Sequence, residues 1–229
     1  VREWLATFNQ NQQLLSLHSR THPPFAVLIH DLFFVLFPRG GLNALAIGFG
    51  VISLSIIPIF LILLKINGVS SNNRKLLLIL FSVIPAVNIY TVVCLDGVIS
   101  ASSTLFLLGI AIILKKPGLR VIGYLLMALG LVTTNLLTYG GTFLIGIGAL
   151  LTLVNLLKEK KHYLLIGYLF SVLSLLVILF ILDKGFNYNH LKGFITAATI
   201  ENPGGFRLFA DPINYLLTRF EDIFEIAFY

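Results

Sequence analysis

At 229 residues, 57% hydrophobic and only 11% charged, the chain is too apolar for a soluble domain, in which about 25% of residues carry charge. Its formal net charge of +6 is scattered in short clusters between apolar runs, with no basic stripe carrying interleaved aromatics, which argues against a nucleic-acid surface. The single cysteine, Cys94, can form no intrachain disulfide and has no partner for a metal site.

Residues 1–18 read as a surface helix. Val1, Trp4, Leu5 and Phe8 recur at helical spacing, Arg2, Glu3 and Asn9 face elsewhere, and Trp4 suits a membrane interface. RTHPPF (20–25) then leads into an apolar run over 25–37 that carries His30 and Asp31 and ends at PRGG. That run is too short to span a bilayer. It reads as a juxtamembrane or re-entrant helix, started by Pro23 and Pro24, which the first turn tolerates. His30 and Asp31 together would suggest a metal or proton relay, but they are adjacent and point apart on such a helix, which weighs against that reading.

Apolar segments follow at about 42–64, 76–95, 97–114, 121–136, 138–157 and 163–183, several of them near the roughly 20 residues that cross the hydrocarbon. The stretch 121–157 reads as two short, tilted helices meeting at the polar break TTNLLTYGGT (133–142). The glycines at 140, 141, 146 and 148 are expected to allow close helix packing. Residues 184–229 form the longest polar stretch. Within it, Asp211 followed by Pro212 is a cap with proline at the first helical position, so a helix is expected from about 212 into a further span.

No fixed-period repeat and no Pro- or Ser-rich linker divides the chain. The expected fold is all-α and polytopic: one transmembrane domain over 1–229, with juxtamembrane helices in 1–40, about six spans in 42–183 and an outer loop in 184–229. The chain begins at Val1 without a signal-peptide pattern and ends on rising hydrophobicity, so both ends are expected to be cuts in a longer protein.

Lys65, Arg74, Lys75, Lys115, Lys116, Arg120, Lys158, Lys160 and Lys161 are nine of the sixteen Lys and Arg residues, and they occupy three short loops, each two spans from the next. The positive-inside rule makes those loops cytoplasmic, and of the acidic residues only Glu159 joins them. These clusters read as topology signals, with anionic-lipid contact as a minor extra. The polar residues then gather on the outer side, where a cavity beneath surface helices would suit an amphiphilic substrate with an apolar tail and a charged head.

RTHPPF (20–25), two apolar segments, then VNIYTVVCLDGVISASSTLFLLG (87–109) resemble the GT-C superfamily of membrane glycosyltransferases. More narrowly, they resemble the branch of protein O-mannosyltransferases and lipid A aminoarabinose transferases, which carries a juxtamembrane HPP or KPP, two spans and an xxDAxxA start to the next. LDGVISA (95–101) is the local form of that start. LGLVTTNLLTYGGTFLIGIGALL (129–151) resembles the family's short helix pair, without its LTK lysine, and ENPGGFRLFADPINYLLTRFEDIFEI (201–226) resembles the loop after a later span.

The resemblance implies transfer of a sugar from a polyprenyl-phosphate donor to an acceptor glycan, lipid or protein, outside a prokaryotic cell membrane. It implies catalytic roles for Asp96 and His22, and substrate contacts from Arg20, Asn135, Tyr139, Arg219, Glu221, Asp222 and Tyr90. The family's first-loop acidic pair would precede Val1. No metal ligand set is assigned: the sequence requires no cofactor and leaves a divalent cation open. Each residue also has a plain structural reading: His22 and Asp96 as helix caps, Arg20 as an interface anchor, Arg219 with Glu221 and Asp222 as a solvated face, and the tyrosines as interface residues. The rival functional class is a non-enzymatic transporter or an assembly subunit. A transporter would more often place charge or breaks at mid-membrane, whereas these spans are nearly all apolar there.

Overall fold

The computed structural model describes residues 1–83, 94–159, 162–205 and 207–228, and among them every regular element is helical. Among the described residues, five helices are long and apolar enough to cross a membrane: Gly41–Ile66, Leu95–Lys115, Pro117–Leu137, Tyr139–Glu159 and Tyr163–Phe186. The protein is therefore an all-α, polytopic integral membrane protein. The sixth expected span, 76–95, begins in a helix Ser71–Val83, and its continuation lies outside the described residues.

The amino-terminal segment is shorter than the expected 1–18 helix. Helix α1 (Arg2–Asn11) gives way to a tight turn at Gln12–Leu14 and a single turn α2 (Leu17–Arg20). Its apolar stripe docks on protein: Leu5 and Phe8 are buried with Leu182 and Tyr188 at the end of the Tyr163–Phe186 span. Helix α3 (Phe25–Leu36) starts as expected. Pro24 is already helical, and Pro23 O and Pro24 O accept the first backbone hydrogen bonds, from Ala26 and Val27 N–H, both at 3.1 Å.

Helices α4 (Gly41–Leu54) and α5 (Ile56–Ile66) form one continuous span. The break at Ser55 lies three residues before Pro58, which cannot donate to the turn below it. Ser55 N–H turns back to Val51 O and Ile52 O at 3.1 Å. Helix α6 is Ser71–Val83.

Helix α7 (Leu95–Lys115) is the centre of the bundle, packed by α4, α5, α8 (Arg120–Leu137) and α10 (Tyr163–Phe186). Phe106, Ile113, Met127, Leu131 and Leu164 are its fully enclosed contacts. Glycines set the α7–α8 approach: a Cβ on Gly109 would lie 2.6 Å from Met127 N and 2.7 Å from Gly123 O. Small residues let two backbones meet in lipid, where no hydrophobic force drives them together. Of the glycines singled out in the sequence, Gly141 and Gly148 sit in tight contacts, whereas Gly146 has open space around it and Gly140 meets only Thr138 Oγ1, at 3.4 Å. Exposed Leu125, Leu129, Leu150, Leu169, Leu173 and Phe180 face the place of lipid.

Helices α8 and α9 (Thr142–Glu159) meet at the expected polar break. Thr138 is extended and Tyr139–Gly141 forms a tight turn. Asn135 donates from Nδ2 to Leu131 O at 2.9 Å and to Gly141 O at 3.1 Å, which ties the turn to the helix end.

The stretch 184–229 is more ordered than the expected loop. Helix α10 ends on a left-handed Asn187 (φ 55°), with Tyr188 N–H reaching back to Leu182 O at 3.1 Å. Asn187 N–H also reaches Asp183 O at 3.1 Å, the single bond of an αL-type stop, and Tyr188 packs against Leu182. Helix α11 (His190–Glu201) follows, capped by Asn189, whose Oδ1 accepts from Lys192 N–H at 2.8 Å. After α12 (Arg207–Ala210), α13 (Pro212–Phe228) starts where the Asp-Pro signal placed it. Asp211 Oδ1 accepts from Asn214 N–H at 3.2 Å.

Candidate functional site

The start of α7, the α8–α9 turn, the end of α10 and α11 share one end of the bundle. The α7–α8 turn and the start of α10 lie at the other. At the first end His22 borders two hollows. The smaller, about 410 Å³, is lined by Ser19, His22, Val27, His30 and Cys94. The larger, about 700 Å³, lies among Thr21, His22, Tyr139, Phe143, Phe194 and Glu201. His22 is placed there because Pro23 and Pro24, both buried, start α3 directly after it. Thr21 Oγ1 lies 3.5 Å from its Nδ1.

Asp96 is exposed in the first turn of α7, two residues past the cap position expected for it, which Cys94 occupies in extended conformation. Cys94 Sγ–H donates to Asp96 Oδ2 at 3.4 Å. A carboxylate in a first turn is favoured by the helix dipole, and the thiol links it to the lining of the smaller hollow. His30 Nδ1 lies 2.6 Å from Ala26 O and its ring packs edge-on to Phe49 at 5.1 Å. Asp31 is exposed on another face of α3. Among the described residues no three His, Cys, Asp or Glu side chains gather closely enough to hold a metal ion.

The larger hollow owes one wall to α11. Phe194, Ala197, Ala198 and Glu201 recur at helical spacing, and His190 continues that stripe below them. Tyr139 lies opposite, 95% buried, its ring 5.1 Å from His190 and 5.9 Å from Phe194. Behind it runs a buried polar chain. Tyr139 Oη lies 3.4 Å from Tyr188 Oη, which lies 3.0 Å from His190 Nδ1. Gln12, fully buried, donates from Nε2 to Gly193 O at 3.0 Å and to Arg20 O at 2.8 Å. Among the described residues, the buried His190 Nε2 has no hydrogen-bond partner. Burial pushes the His190 imidazole down to about 4 and raises the Tyr188 phenol, which the neighbouring Tyr139 raises further.

The sequence-derived candidates thus separate. His22 and Tyr139 line the larger hollow, and Asp96 is tied to the smaller through Cys94. Asn135 is 99% buried, with its amide N–H groups holding the turn below Tyr139. Arg20 lines neither hollow: its buried Nε has no partner among the described residues, and its carbonyl holds Gln12. Arg219 stands 5.2 Å over the Tyr215 ring on the exposed helix α13, where Glu221 is also exposed, so neither is brought to these hollows. Tyr90 and the Asp222 side chain lie outside the described residues. Gln12, Tyr188, His190 and Glu201 were not among the sequence-derived site residues. The Asn189 cap and the 190–194–197–201 stripe were the legible signals for the helix that carries two of them.

A third hollow, about 480 Å³ and almost wholly apolar, opens on the other side of α3 between Phe25, Leu28, Ile29, Val98 and Leu136. No family model matches the chain, and no curated protein or solved structure matches it either.

Proposed function

We propose that the chain is the membrane part of a glycosyltransferase that moves a sugar from a polyprenyl-phosphate carrier to an acceptor at the membrane end bearing His22. The observation that carries this reading is the position of His22 on the shared border of two hollows. One leads to the Cys94–Asp96 pair. The other combines aromatic faces (Tyr139, Phe143, Phe194) with hydroxyl, amide and carboxylate groups (Thr21, Thr142, Asn202, Glu201). Such a mixture suits the apolar faces and hydroxyls of a sugar. The apolar hollow beyond α3 offers room for a carrier tail.

In this reading the acceptor hydroxyl oxygen attacks the anomeric carbon as its bond to the phosphate oxygen breaks. The acceptor proton passes to a carboxylate, Asp96 by its place at the rim, and an imidazole N–H of His22 stabilises the departing phosphate. Positioning by the aromatic walls supplies much of the remaining rate.

The test is transfer of radiolabelled sugar from polyprenyl-phosphate sugars by membranes containing the full-length protein. His22→Ala and Asp96→Asn are each expected to lower kcat/KM by roughly a hundredfold or more, while Asp31→Asn, on an exposed face of α3, leaves it unchanged. Full activity in both site variants removes these residues from the mechanism. Absence of transfer with every carrier-linked sugar overturns the reaction class.

A further inference from the structure

At the bundle end away from His22, Arg120 opens α8 and Tyr163 opens α10, and the Arg120 guanidinium carbon lies 3.4 Å from the centre of the Tyr163 ring. Stacking occupies the flat face of a guanidinium and leaves its in-plane N–H groups for another partner. Among the described residues none supplies one. Arg120 Nε is buried without a hydrogen bond, and no described carboxylate pairs with the side chain.

The surroundings add cations. Exposed Lys115 and Lys116 close α7, and the tight turn Pro117–Leu119 brings them back beside Arg120, with Leu119 N–H donating to Lys116 O at 2.9 Å. Lys158, exposed in the last turn of α9, returns to the same end. Glu159 is the one carboxylate among the described residues of these two connections. Because five helices qualify as spans, this end lies at a membrane–water interface, where anionic headgroups are concentrated.

We propose that Arg120, held by Tyr163 and assisted by Lys115 and Lys116, binds the phosphate of an anionic phospholipid. The guanidinium offers paired donors in one plane to phosphate oxygens, the ring fixes that plane before the lipid arrives, and the lysines add point charge. The site is at the opposite end of the bundle from the proposed transfer chemistry and does not depend on it.

The test uses the full-length protein in nanodiscs of phosphatidylcholine with and without phosphatidylglycerol, with retained lipid counted by native mass spectrometry. Wild type is expected to retain phosphatidylglycerol in preference, and Arg120→Gln to lower that retention roughly tenfold. Arg120→Lys keeps the charge but not the planar fork and loses most of the preference. Arg74→Gln leaves it unchanged, because Arg74 lies at the same end but already donates from Nη1 to Val69 O at 2.6 Å. Equal retention of both lipids, or an equal loss in the Arg74 and Arg120 variants, overturns the site. So does full displacement of the lipid by inorganic phosphate, which would make it a free-phosphate site.

Discussion

Asn9 on α1 and Asn189 ahead of α11 hold each other through two hydrogen bonds running in opposite directions. Asn9 Nδ2–H donates to Asn189 O at 2.9 Å, and Asn189 N–H donates to Asn9 Oδ1 at 2.8 Å. The Asn189 side chain also caps α11, so one residue, held through its backbone by Asn9, ties the amino-terminal helix to the helix that walls the larger hollow. Asn9→Ala is expected to lower stability by about 1–2 kcal/mol, read as a lower midpoint of thermal unfolding in detergent. Asn9→Asp, which keeps the acceptor and loses the donor, should fall between the two.

Gly193 and Gly146 make a contrasting pair. A Cβ on Gly193 would collide with Tyr139 Oη, whereas one on Gly146 meets nothing within 4 Å. Gly193→Ala is therefore expected to destabilise by about 1–3 kcal/mol, because the buried tyrosine must move. Gly146→Ala should be neutral or stabilising by up to about 1 kcal/mol through helix propensity. Equal unfolding midpoints for the two variants would contradict the close approach of α11 to Tyr139.

His190 makes stability depend on pH. Burial lowers its folded-state pKa to about 4, below the ordinary 6.5. Above about 6.5 the imidazole is neutral in both states and the folded form keeps its full stability. As pH falls from there, the unfolded chain takes up a proton that the folded chain refuses, so stability declines until about pH 4 and then levels off. The decline attributable to this residue is at most about 3 kcal/mol. His190→Gln is expected to flatten that part of the pH profile, as measured by thermal unfolding between pH 4 and 7.

Sidedness is open to chemical labelling. In a Cys94→Ser background, Gly140→Cys and Lys116→Cys place thiols at opposite ends of α8. A membrane-impermeant maleimide is expected to label Gly140→Cys in intact cells and Lys116→Cys only after disruption, as the positive-inside rule requires. Labelling of both in intact cells would contradict opposite placement.

Much of the fold could be read from local signals. The spans are legible because length and continuous hydropathy suffice to identify a membrane helix. The helix from Pro212 is legible because Asp211 and Pro212 are both local start signals. The start of α3 at Pro23–Pro24 follows from the fixed φ of proline. Helix α11 is not legible locally because its sequence, HLKGFITAATIE, is only weakly apolar, and its buried side shows only once Tyr139 lies opposite. The glycines misled in part for the same reason. Gly146 and Gly148 look alike in sequence, but only Gly148 faces side chains, those of Phe106 and Tyr168.

Apolar runs and the lopsided distribution of lysine and arginine already dictated a bundle of membrane helices with a basic end, since hydropathy and charge are properties of each segment taken alone. Which polar groups meet was decided by tertiary packing. Gln12 joins Gly193 across 181 positions, Arg120 lies on Tyr163 from another helix, and His22 borders hollows made by three distant segments. Such meetings depend on how whole helices dock and on which buried atoms find partners, and no local pattern encodes that.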